Sequence, residues 1–129
     1  MLAYLDSSAV TKLVAREAET PRLRGALAEW PRRVSSKLVR VEVMRAALKR
    51  GKRQTVAARV ALDDLVLLSI DDRVVDIATA LDPPPLRALD AIHVATALSL
   101  GNELGALITY DLRMQEAART AGIRVVAPA

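Results

Sequence analysis

The chain contains no cysteine and no phenylalanine, and only one tryptophan, two tyrosines and one histidine. Without cysteine there is no disulfide framework, no zinc–thiolate site and no thiol nucleophile, a composition that suits a reducing compartment. Aromatics make up 2% of the residues, which excludes the base-stacking platform used by single-strand nucleic-acid binders. Any contact with RNA or DNA must then fall mainly on phosphate and sugar. No run of about twenty apolar residues occurs, and the opening MLAYLD carries neither a basic leader nor a long apolar segment. The expectation is a soluble, cytoplasmic protein with no membrane attachment. A chain of 129 residues that is 52% hydrophobic can fill one core and is too short for two, so residues 1–129 are expected to form a single domain.

What is present is unevenly placed. The formal charge is +4, but residues 1–60 hold fourteen Lys and Arg against five Asp and Glu, whereas residues 61–129 hold five against ten. The first half could lie along a polyanion. Basic residues such as Arg32, Arg33, Lys49, Arg50, Lys52 and Arg53 also suit ordinary solvated turns and helix ends.

Short apolar runs alternate with helical patterns along the whole chain. Strands are expected at 2–5, 33–35, 66–70, 106–110 and 123–126. Helices are expected at 7–17, at 20–30 with Thr20 as N-cap and Pro21 at the first position, from about 38 to Gly51, and at 54–64. The third of these carries Val41, Met44 and Leu48 at helical spacing as its apolar stripe. A helix capped by Asp71 or Asp72 runs to 81, Asp82-Pro83-Pro84-Pro85 forces a loop, and further helices cover 88–101 and 112–121, the last closed by Gly122. Alternation with crossovers of this length predicts an α/β fold, a three-layer α/β/α sandwich around a central parallel sheet.

That architecture gives scattered acids a common destination. Strand C-termini of a parallel sheet share one edge, where ligand sites gather. Asp6 directly follows the first strand and Asp111 the strand ending ITY, while Glu42 and Asp90 lie on helices that follow segments able to deliver them to that edge. Asp90, in ALDAIHVATAL, shares its helical face with Val94 and Ala97, an expensive place for an unpaired charge. Taken singly, Asp6 and Asp111 suit helix N-caps and Glu42 an ion pair with Arg45. Taken together, carboxylates crowded at one edge would raise one another's pKa unless a cation intervened. All-oxygen donors without cysteine favour Mg²⁺ or Mn²⁺ over zinc. Asp63, Asp64, Asp71, Asp72 and Asp76 suggest caps and solvated faces, and His93 suggests a packed, hydrogen-bonded residue before it suggests a ligand.

Four blocks in order and spacing, YLDSSAVTKL (4–13), VRVEVMRAALK (39–49), LRALDAIHVATAL (86–98) and LITYDLRMQEAARTAGIRVVAP (107–128), resemble the PIN-domain ribonucleases, and specifically the VapC toxins of toxin–antitoxin pairs. The resemblance spans almost the whole chain, with residues 33–37 less typical. It implies a PIN-like sandwich and an endoribonuclease that uses Mg²⁺ or Mn²⁺ to hydrolyse RNA. Asp6, Glu42, Asp90 and Asp111 match the family's four acidic, metal-holding positions. Ser7 falls where a small polar residue often accompanies the first acid, and Thr109 matches a hydroxyl two positions before the last one. The resemblance also implies a homodimer and a cognate VapB-like antitoxin that places a basic side chain in the acidic site.

Two other functions fit parts of the pattern. A non-catalytic RNA-binding or regulatory module would use the basic first half and be indifferent to loss of the acids. An aspartate-phosphorylating domain would need a second Asp two positions after the first, where this chain has Ser8, or a lysine after a late strand, which ITYD does not offer.

Overall fold

The computed structural model describes residues 1–129. Five strands, β1 (Leu2–Leu5), β2 (Arg33–Ser36), β3 (Val66–Leu68), β4 (Leu104–Ile108) and β5 (Val125–Val126), make one sheet in the order β3-β2-β1-β4-β5. Every pairing is parallel. The helices are α1 (Ser7–Val14), α2 (Thr20–Leu27), α3 (Lys37–Arg50), α4 (Lys52–Asp63), α5 (Asp72–Thr79), α6 (Ala88–Ser99) and α7 (Leu112–Thr120), with a short 3₁₀ turn at Gly101–Glu103.

The central strand explains the layering. LAYL in β1 is buried at every residue, as expected of a parallel strand covered on both faces. Its side chains alternate: Ala3 and Leu5 join Val10, Leu23, Val39, Val43, Ala58 and Leu62 from α1 to α4, while Leu2 and Tyr4 join Val94 of α6, Met114 and Ala118 of α7. Each fully buried Leu, Val or Met side chain contributes about 1.5–3 kcal/mol. The result is the α/β/α sandwich expected from the sequence, with one core on each side of the sheet. Gly105 of β4 is fixed by packing, because a Cβ there would collide with the Trp30 ring.

Several local expectations are corrected. The buried face of α3 is Val39, Val43 and Ala47, whereas Val41 is 59% and Leu48 58% exposed. Both stripes have helical spacing, and the sheet selected the one that the chain presents on leaving β2. Glu19, not Thr20, precedes α2 and makes no side-chain cap. Thr20 instead donates to the Lys12 carbonyl and accepts from the Glu17 amide. Strand β4 ends at Ile108, so Thr109 and Tyr110 separate it from Asp111. Both α1 and α2 stop three residues short of the expected ends, at Val14 and Leu27.

Candidate active site

Asp6 leaves the C-terminal end of β1 and caps α1, accepting from the Ala9 amide at 3.0 Å. The same oxygen, Oδ1, accepts from the Ser8 hydroxyl at 2.7 Å, and Oδ2 accepts from the Thr109 hydroxyl at 2.6 Å. Asp6 is only 1% exposed, so burial pushes its carboxyl above the ordinary carboxylate value, while the Thr109, Ser8 and Ala9 donors pull it back down. Thr109 joins the two strand ends: besides donating to Asp6, its Oγ1 accepts from the Asp111 amide at 3.1 Å. Ser8 braces the same junction by accepting from the Tyr110 amide at 2.9 Å.

Asp111 caps α7, its Oδ1 accepting from the amides of Arg113 and Met114. Its other oxygen faces Arg87, whose Nη2 lies 3.7 Å away, while Arg87 Nε lies 3.3 Å from Asp90 Oδ2. One guanidinium thus spans two of the acids. Asp90 occupies the first turn of α6, with a side chain 14% exposed, and Val94 and Ala97 of the same face are fully buried. The apolar stripe around Asp90 is therefore real, and Arg87 is its charge partner here.

Glu42 reaches the site from α3 and pairs with His93, not with Arg45, which forms no ion pair. His93 Nε2 lies 2.6 Å from Glu42 Oε1, and His93 Nδ1 lies 2.7 Å from the Tyr4 hydroxyl. Tyr4 accepts from the Ser36 amide at 3.1 Å, which leaves its own proton free to donate to Nδ1 while Nε2–H donates to Glu42. Burial drives the Tyr4 phenol far above its ordinary pKa, so it remains a donor. His93 is fully buried, and the relay ties α3, α6 and β1 together while fixing Glu42 by one oxygen.

The structure thus brings Asp6, Thr109 and Asp111 into one hydrogen-bonded string and sets Asp90 beside Asp111 through Arg87, with Glu42 held separately by His93. No three His, Asp or Glu side chains stand close enough together to hold a metal ion. Electrostatics accounts for the spacing, since uncompensated carboxylates repel and the cation present, Arg87, already lies between two of them. The donor chemistry suits a hard divalent ion, being all carboxylate oxygen, and the bridging guanidinium marks a place where positive charge is held.

Ser7 has no side-chain hydrogen bond in the site. The serine that reaches Asp6 is Ser8, one residue on. Sequence reasoning also missed Tyr4 and Arg87. Arg87 stands three residues before Asp90, a spacing that pairs charges on a helix, and was the readable signal of the two. Tyr4 reads as core until the position of His93 is known.

A PIN domain family model matches residues 3–120. Ribonuclease VapC46 of Mycobacterium tuberculosis is 54% identical over 125 residues, 97% of this chain and 96% of the relative. The chain belongs to the PIN-domain family, among the VapC ribonucleases. Solved structures show the same PIN fold. A toxin–antitoxin complex from Klebsiella pneumoniae is similar at a TM-score of 0.75 and 28% identity, over 98% of each chain. VapBC2 from Rickettsia felis, bound to a promoter DNA fragment, superposes at 0.78 with 12% identity over the full length of both chains. No helix of this PIN domain is long and apolar enough to cross a membrane.

Proposed function

We propose that this chain is a VapC-type toxin: an endoribonuclease, dependent on Mg²⁺ or Mn²⁺, that hydrolyses RNA phosphodiester bonds and is neutralised by a VapB-like antitoxin. Its relative is a ribonuclease and a similar structure is a toxin–antitoxin complex, which supports both halves of the reading. The observation that carries it is the gathering of Asp6, Asp90 and Asp111 at the C-terminal edge of the sheet, with a cation already spanning two of them. Residues 1–129 act as one catalytic domain in the cytoplasm, as a homodimer.

Asp6, Glu42, Asp90 and Asp111 are the residues that would hold the ion, with Arg87 turning away from Asp90 and Asp111. When bound, a divalent ion offsets charge on the phosphate and makes a water more acidic. The protein's part is positional. Thr109 and Ser8 fix the Asp6 carboxylate by both oxygens, and Thr109 sets the distance to Asp111. His93 holds Glu42 by Oε1 and leaves Oε2 without a hydrogen bond; Glu42 or Asp111 would take the proton of the attacking water. The water oxygen forms a bond to phosphorus, the bond from phosphorus to the leaving ribose oxygen breaks, and that oxygen takes a proton from solvent.

Purified protein should cleave RNA in Mg²⁺ or Mn²⁺ and stop when a chelator is added, and Asp90→Asn should abolish cleavage while leaving the circular dichroism spectrum unchanged. Full cleavage by Asp90→Asn, or cleavage insensitive to chelator, would overturn the assignment.

A further inference from the structure

An acidic site must attract a polyanion, and the charges that do so should sit beside the acids. Next to Asp90 and Asp111 opens a cleft of about 290 Å³ lined by Pro83, Pro85, Leu86, Arg87, Arg113 and Glu116. Its two positive groups come from different elements: Arg87 closes the proline loop and opens α6, and Arg113 lies in the first turn of α7. Arg87 is 67% exposed despite its contacts with Asp90 and Asp111, so its guanidinium is accessible from the cleft as well as from the acids. Arg113 is exposed and makes no ion pair. Two guanidiniums with open donors favour a phosphate, which each can bind through paired N–H groups.

Resting on the ribonuclease reading, we propose that this cleft is a phosphate subsite: Arg87 and Arg113 hold a phosphate of the RNA chain next to the one being cut. When the acids take up a divalent ion, the Arg87 guanidinium no longer serves as their counter-ion and turns to the RNA. Glu116 lines the same cleft and opposes the phosphate, which gives the subsite a residue of each sign. The low aromatic content fits this mode, because affinity must come from the backbone of the RNA.

The test uses the full chain carrying Asp6→Asn to prevent turnover, with Mg²⁺ present and a short fluorescent single-stranded RNA whose anisotropy is followed as salt is raised. Arg113→Gln in that background should weaken binding roughly five- to tenfold and flatten the salt dependence by about 0.7 in the log–log slope, the value for one lost phosphate contact on a single strand. Arg87→Gln should act in the same direction, and Glu116→Gln in the opposite one, tightening binding. Arg119→Gln, the same charge change at the far end of α7, serves as the reference. In the active chain, Arg113→Gln should raise KM and leave kcat within about twofold. If Arg113→Gln and Glu116→Gln bind RNA like Arg119→Gln while the unmodified protein cleaves it, the subsite is wrong and the ribonuclease reading stands. If the unmodified protein cleaves no RNA in Mg²⁺ or Mn²⁺, both fall.

Discussion

Asp6 and Asp90 are both aspartates at the start or just inside a helix at the same sheet edge, yet the chain treats them oppositely. Asp6 is fully enclosed and held by three neutral donors, two hydroxyls and an amide. Asp90 stays partly open and is answered by a mobile-stemmed arginine. The difference teaches which part of the site is built to stay fixed. Hydrogen bonds from Thr109 and Ser8 leave Asp6 nowhere to turn, whereas the ion pairs of Asp90 and Asp111 with an exposed arginine cost little to open.

The sharpest way to break the comparison is to remove the charge at the fixed end. Asp6→Asn should lower cleavage at least about a hundredfold, as expected when several kcal/mol of transition-state stabilisation by the ion are lost. The same change bears on stability. Because burial holds the Asp6 carboxyl above its ordinary value of 3.8, the fold favours its protonated form, and the stability from that preference is full below that value and lost as pH rises through the raised pKa. Without divalent ion, the parent's denaturation midpoint should therefore fall over that window, Asp6→Asn should lack this component, and at neutral pH the variant should be at least as stable. Mg²⁺ should stabilise the parent more than the variant, which keeps three of the four acids.

Next in size is the relay behind Glu42. His93→Leu keeps the volume apolar but strands the Tyr4 hydroxyl and frees Glu42, at a cost of about 1–3 kcal/mol in urea unfolding for the buried group left unpaired. Cleavage should fall a further ~10–100-fold, in the range seen when support for a metal ligand is lost. His93→Gln, which can still donate to Glu42, should recover part of the activity even where it does not recover stability. Smallest is the serine pair. Ser8→Ala should cost roughly 1 kcal/mol and several-fold in rate, and Ser7→Ala should change neither. Equal effects at the two serines would show that the Asp6 end is not held as described.

Much of this was legible beforehand, for reasons that differ by element. Apolar runs such as LAYL and the crossover lengths determine a parallel sandwich, and the position of Asp6 after a buried strand follows at once. The stripe of α3 was misread because Val39–Val43–Ala47 and Val41–Met44–Leu48 have equal claims by spacing, and only the direction in which α3 leaves β2 decides between them. The partners of the acids were harder still. Glu42 sits beside Arg45 in sequence but pairs with His93, fifty-one residues away, and Ser8 rather than Ser7 faces Asp6 because the helix turn, not adjacency, aims the hydroxyl. Long-range hydrogen bonds depend on tertiary contact, and no local pattern carries them.

The strand order has a consequence for when the molecule becomes dangerous. With β1 in the middle, β2 and β3 build outward on one side of it and the later strands β4 and β5 on the other. Asp6 and Glu42 are made early, Asp90 and Asp111 late. A ribosome that has finished two thirds of the message holds an incomplete sheet and half a set of acids. On the proposed reading, a nascent chain cannot attack the RNA that is making it, and harm begins only once Asp111 has emerged and folded back against Asp6.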